Sequence, residues 1–145
     1  MKPFLIIMFF FLHTFSNLFA QNKTIRGRVI SNQFEILGYV QIFGYYKEEF
    51  GKTDLDGFFK IEIPISTKKI TFSSVGLETA IINIYDSCNE VEIVMLLRGS
   101  YDFMTPKKVY RQRFKNYKKI INFHQKAVDM NLFKTNKTCY FRVFL

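Results

Sequence analysis

The stretch Gly51–Pro64, G-K-T-D-L-D-G-F-F-K-I-E-I-P, constrains the fold more than any other part of the chain. Asp56-Gly57 is a tight-turn signal, because Gly tolerates positive φ and Asp side chains bond nearby backbone N–H groups. After the turn, Phe59, Ile61 and Ile63 fall on one face, while Phe58, Lys60 and Glu62 fall on the other. Period-2 alternation of this kind specifies a strand with one buried face, and Pro64 ends it. The stretch therefore reads as a β-hairpin. Asp54 and Asp56 also invite a calcium loop, since carboxylates two apart before a glycine open many such loops. No acidic ligand follows at the required spacing, so Asp54, Asp56 and Gly57 are read as structural turn residues, both carboxylates bonding backbone donors.

Similar short segments surround this one. Ile25–Ile30, Tyr39–Phe43, Ile70–Ser73, Ala80–Tyr85 and Val91–Leu97 are β-branched or aromatic runs separated by polar turns. No helical periodicity interrupts them. Six or seven short strands at this spacing predict a mainly β fold, a Greek-key β-sandwich spanning residues 21–98. A chain of 145 residues that is 48% hydrophobic and carries 18 Phe can fill such a core, which excludes general disorder.

The character of the chain changes at Arg98. Gln21–Leu97 holds 8 basic and 10 acidic residues, whereas Arg98–Leu145 holds 12 basic and only 2 acidic, so the formal charge of +9 belongs to the C-terminal segment. In this third region, 99–145, a linker leads to Thr105-Pro106, a cap candidate followed by the residue best suited to a first helical position. Tyr110, Phe114, Tyr117, Ile121, His124 and Val128 recur at spacings of 3 and 4, one stripe of a basic amphipathic helix. Lys107, Lys108, Arg111, Lys115, Lys118 and Lys119 cover much of the remaining surface and form the candidate interaction surface. The lysines could be merely solvated while the stripe packs on the sandwich. They could instead meet an anionic surface such as lipid head groups or an acidic envelope polymer, or dock a partner protein. Cys139–Leu145 reads as a short strand or an apolar anchor back onto the domain.

Residues 1–20 read as a cleaved signal peptide: Lys2, an apolar run Phe4–Leu12, and a small-residue site after Ala20. An uncleaved anchor is the alternative, but about 20 apolar residues are needed to span a bilayer. The expected location is thus the periplasm or the outer membrane, where nucleic acid is not a partner. Such a compartment would permit a disulfide between Cys88 and Cys139. Spacing alone leaves this open, and free thiols are favoured because a sandwich of this size does not require a staple. His124, on the apolar stripe, is read as a packed or partly exposed imidazole. No catalytic residue, metal site, cofactor or small-molecule substrate is expected.

The blocks Ile25-x-Gly27-x-Val29, Leu37-Gly38-x-Val40-x-Ile42, Gly51-x-Thr53-Asp54-x-Asp56-Gly57-x-Phe59-x-Ile61 and Phe72-x-x-Val75-Gly76 occur in this order. Their sequence resembles the carboxypeptidase-regulatory-like domain, a transthyretin-like β-sandwich abundant in exported proteins of Bacteroidetes-type bacteria. The resemblance covers residues 24–97. It implies an accessory module: a non-enzymatic exported sandwich mediating protein or envelope-surface interaction, or else a regulatory subunit of a periplasmic hydrolase or an outer-membrane transport system. The family's catalytic and barrel-forming neighbours have no counterpart in these residues, so their activities do not carry over.

Overall fold

A computed structural model describes residues 21–145; the signal-peptide reading lies outside the described residues. The described residues are mainly β, with eight strands in two sheets and a helical C-terminal segment. In chain order the elements are β1 (Asn22–Ser31), β2 (Gln41–Phe43), β3 (Glu49–Lys52), β4 (Phe58–Pro64), β5 (Lys69–Ser73), β6 (Ala80–Ile84) and β7 (Glu90–Met95). Helices α1 (Pro106–Lys118) and α2 (Ile120–Asp129) follow, and β8 (Tyr140–Val143) ends the series. One sheet has the order β4-β1-β7 and the other β3-β2-β5-β6-β8.

The predicted strands form for the reason their alternation gives. In β4, Phe59, Ile61 and Ile63 are buried while Phe58, Lys60 and Glu62 are exposed. These side chains meet Val29, Val91 and Ile93 of their own sheet and Val40, Ile42, Ile70, Phe72 and Ile82 of the other in one core. The two sheets thus pack face to face. Each fully buried Ile or Phe contributes about 1.5–3 kcal/mol of transfer free energy. At the centre, the rings of Phe59 and Phe72 meet edge-on across the sheets, centroids 5.6 Å apart.

Two features of the topology were not in the sequence reading. β1 runs antiparallel to β4 but parallel to β7, with Gly27 opposite Val91. A Cβ at position 27 would lie 1.7 Å from the Val91 carbonyl oxygen, so the close approach of these strands requires glycine there. The second is a correction. β3 and β4 do not form a hairpin: they are the edge strands of different sheets, and the Asp54–Gly57 turn carries the chain from one sheet to the other. Its first bonds are those of a hairpin end, with Asp54 N–H donating to Phe58 O at 2.7 Å and Gly57 N–H to Asp54 O at 3.1 Å. Beyond them the strands diverge, because Phe59, Ile61 and Ile63 must face the core that β3 faces from the opposite side. Gly57 adopts φ +74°, as a turn glycine should. The Asp54 carboxylate accepts from the N–H groups of Asp56 and Phe58 at 3.0 and 2.8 Å. Asp56 departs from the reading: its backbone carbonyl, accepting from Arg28 Nε at 3.3 Å, provides its hydrogen bond to the fold. Beside the turn, buried Thr53 accepts from Val40 N–H and donates to Leu37 O, at 2.9 and 2.7 Å.

The opposite edge of the sandwich is closed by the tail. β8 pairs antiparallel with β6, with Ile84 opposite Tyr140, so the tail is a strand. That register sets Cys139 beside the turn after β6, where Tyr85 N–H donates to Cys139 O. Cys88 lies in the same turn, and the two cysteines form a disulfide with Cα atoms 5.2 Å apart, inside the usual range. The free-thiol expectation is overturned by this pairing, which spacing alone could not foresee. From the tail, Tyr140 Oη donates to Glu92 O at 2.6 Å, and Arg142 Nη1 donates to Val94 O. These carbonyls belong to β7, whose ladder partner is β1 on the other side. The tail therefore occupies acceptors that an edge strand would otherwise offer to another chain.

Candidate interaction surface

Helix α1 starts where the sequence places it. Thr105 is the N-cap, its hydroxyl accepting from Lys108 N–H at 3.4 Å, and Pro106 occupies the first turn. At Lys119 the chain tightens into a turn, its N–H bonding Asn116 O, and α2 continues from Ile120.

The packed face of the helices differs from the expected stripe. Tyr110 is 56% exposed and Ile121 79% exposed. The residues turned inward are Val109, Arg113, Tyr117, Ile120, His124 and Ala127, at spacings of 4, 4, 3, 4 and 3. At about 100° per residue this face lies roughly 60° from the apolar stripe. A charged residue displaces it: Arg113 Nε meets Glu78 Oε1 at 3.4 Å, and Glu78 also accepts from Tyr101 Oη at 3.0 Å. Burial, then the bond to Glu78, raises the Tyr101 pKa, so the phenol stays a donor. Tyr117 Oη donates to Arg142 O at 2.6 Å, and Tyr110, Phe114 and Tyr117 surround the Phe144 ring at 5.4, 5.3 and 5.1 Å.

Helix α2 packs on the outer face of the three-stranded sheet. Ala127 and Phe133 join Ile30 and Val94 in a second apolar cluster, with Phe34, Phe123, Val128 and Leu132 around it. His124 is buried there, packed rather than partly exposed. Its Nε2 lies 2.8 Å from Thr135 O, and its ring packs on Phe133 at 4.9 Å. A carbonyl only accepts, so Nε2 carries the proton. The buried Glu92 carboxylate holds the following loop by accepting from Lys134 N–H at 2.7 Å and Thr135 N–H at 3.3 Å.

With this face inward, all six candidate residues point to solvent. Lys107, Lys108, Arg111, Lys115, Lys118 and Lys119 are exposed, and at about 100° per residue they share an arc of about 120°. Helix α1 contains no carboxylate. Among the described residues none of the six is in an ion pair; the three pairs present are Lys68–Asp86, Arg113–Glu78 and Lys134–Glu90. Lys118 Nζ sits 4.5 Å above the Phe114 ring, a cation–π contact that leaves its charge uncompensated. Lys107 and Lys108 stand in the first turn, next to the positive end of the helix dipole, where each cation costs roughly 0.3–1 kcal/mol. Helix stability does not explain their placement. Apolar groups flank the arc: Phe103, fully exposed at φ +62°, Met104, Tyr110 and Ile121.

On the sandwich, cations and carboxylates are interspersed. A concavity of about 930 Å³ on the outer face of the three-stranded sheet interleaves Arg26, Arg28, Lys52, Lys60 and Lys134 with Asp54, Asp56, Glu90 and Glu92. Lys134 Nζ is 2.6 Å from Glu90, and Arg28 Nη1 donates to Leu132 O at 3.1 Å. Among the described residues no three His, Cys, Asp or Glu side chains group as metal ligands. The disulfide takes both sulfurs out of thiolate chemistry. No protein-family model matches the chain, and no curated protein matches it.

Proposed function

We propose that this protein is an exported, non-enzymatic β-sandwich module that docks onto an anionic lipid surface of the cell envelope through α1. The observation carrying the proposal is the arc itself: six exposed cations on one side of a helix that has no carboxylate and whose other side is fixed to the sandwich. Clustered cations near an anionic leaflet gain roughly 1 kcal/mol each. The flanking Phe103, Met104, Tyr110 and Ile121 favour lipid over a soluble polyanion, because interfacial helices pair basic arcs with apolar and aromatic residues that enter the headgroup region. Among the described residues no helix is long and apolar enough to cross a membrane, so contact through α1 would be peripheral.

Export is supported by Lys2 with the apolar run Phe4–Leu12 and by the disulfide, which suits an oxidising compartment. A Greek-key, transthyretin-like topology and kinship with the carboxypeptidase-regulatory-like domain belong to the same proposal, supported by the ordered sequence blocks and by two sheets sharing one core. The test is co-sedimentation with vesicles of phosphatidylglycerol and phosphatidylcholine against phosphatidylcholine alone. Binding to the anionic vesicles that disappears when the six residues are replaced by Gln supports the proposal; equal binding to both vesicle types refutes it.

A further inference from the structure

A cleft of about 540 Å³ lies where the helices cross the tail strand, at the junction of α1 and α2 with β8. Its walls include Tyr117, Lys118, Ile121, His124, Phe141 and Arg142. This volume is within the range of small-molecule sites, roughly 300–1,000 Å³. Its composition is also that of such a site: mainly apolar, with a few polar groups.

Arg142 decides what the cleft would hold. Arg142 is half-buried, and desolvation lowers its pKa from the ordinary guanidinium value. It donates to Val94 O through Nη1. A guanidinium offers five N–H donors. It has no ion-pair partner among the described residues. Glu78, a carboxylate that acts on Arg142 from a distance, is already bonded to Arg113 and Tyr101. The guanidinium nitrogens not bonded to Val94 remain available, and an anion accepting from them would form a charge-assisted pair. Lys118 adds a second positive charge at the cleft wall. Ile121 is 79% exposed, an apolar surface that a bound chain or ring would cover.

We infer that this cleft binds a small amphiphilic organic anion, its carboxylate or phosphate head on Arg142 and its apolar body against Ile121 and Phe141. Nothing in the sequence alone points to such a ligand, because Arg142 and the helices meet only through the β6–β8 pairing. The inference does not require membrane docking, since the ligand is taken up from solution, but Lys118 and Ile121 belong to both surfaces.

The test is calorimetric titration of the full mature chain, without vesicles, using decanoate and octyl phosphate below their micellar concentrations, with decanol as the neutral control. Binding of at least one anion at submillimolar concentration is expected, with decanol at least tenfold weaker. Arg142→Gln should weaken the anion at least tenfold. Because Arg142 also holds the β7 edge, Ile121→Asp provides a second arm. It changes an exposed residue, leaves the fold intact, and should weaken binding at least tenfold by placing a carboxylate at the cleft wall. Absence of binding by both anions, equal binding of decanol, or binding unchanged in Ile121→Asp overturns the inference. Anion binding without vesicle binding leaves the cleft standing and removes the docking reading; the reverse removes the cleft alone.

Discussion

Reduction of the Cys88–Cys139 disulfide is the perturbation whose magnitude follows most directly from the structure. The bridge joins residues 51 apart in sequence. A cross-link closing a loop of this length removes denatured-state entropy worth about 4 kcal/mol at 25 °C. The native state should change little, because the β6–β8 ladder and the bonds from Tyr140 and Arg142 to β7 remain. With a urea dependence of about 2 kcal/mol/M for a domain of this size, the midpoint should fall by about 2 M. The assay is urea unfolding followed by far-UV circular dichroism, with and without dithiothreitol. Cys139→Ser should reproduce the reduced midpoint and be indifferent to reductant. Coincident midpoints for the oxidised and reduced protein would show that the tail does not restrain the sandwich through this bond.

Two further outcomes test the interior. Thr53→Val strands both Val40 N–H and Leu37 O and should cost about 2–4 kcal/mol; a thermal unfolding midpoint within a degree of the parent would contradict that role. Tyr140 is the second. Burial raises its pKa far above the ordinary 10.0, so the folded state holds the phenolic proton after the unfolded chain has lost it. Stability from this group is fully present below about pH 10 and is lost as pH rises beyond it. The urea midpoint should therefore fall as pH rises above 10, and more steeply than in Tyr140→Phe; equal slopes there would refute the assignment.

Much of the sandwich was legible in the sequence because its strands are amphipathic. Phe59, Ile61 and Ile63 announce their face by alternation, and Thr105-Pro106 announces the start of α1. What was hidden depends on partners remote in sequence. The Asp54–Gly57 turn looks local, yet which sheet each flanking strand joins is decided by the shared core. The cysteines pair because β8 returns beside β6, a register that spacing cannot encode. The helix face was misplaced by about 60° because Arg113, polar by type, turns inward to meet Glu78. Ile121, apolar by type, is left outside. The basic arc was readable as a set of six residues, whereas the cleft containing Arg142 required the tail to be in place.

The docking proposal rests on where the charge sits, not on how much there is, and one comparison separates the two. Lys107, Arg111 and Lys118 belong to the arc, while Lys47, Lys52 and Lys60 are exposed on the sandwich. Replacing either set by Gln lowers the net charge equally. At roughly 1 kcal/mol per cation and 1.4 kcal/mol per tenfold, losing the arc set should weaken partition onto phosphatidylglycerol vesicles about 100-fold at 0.1 M salt. Losing the other set should change it less than about threefold, since those residues lie outside α1 and exposed charges are screened within about 10 Å at this salt. Equal losses from the two sets would reduce the arc to bulk charge and contradict the account.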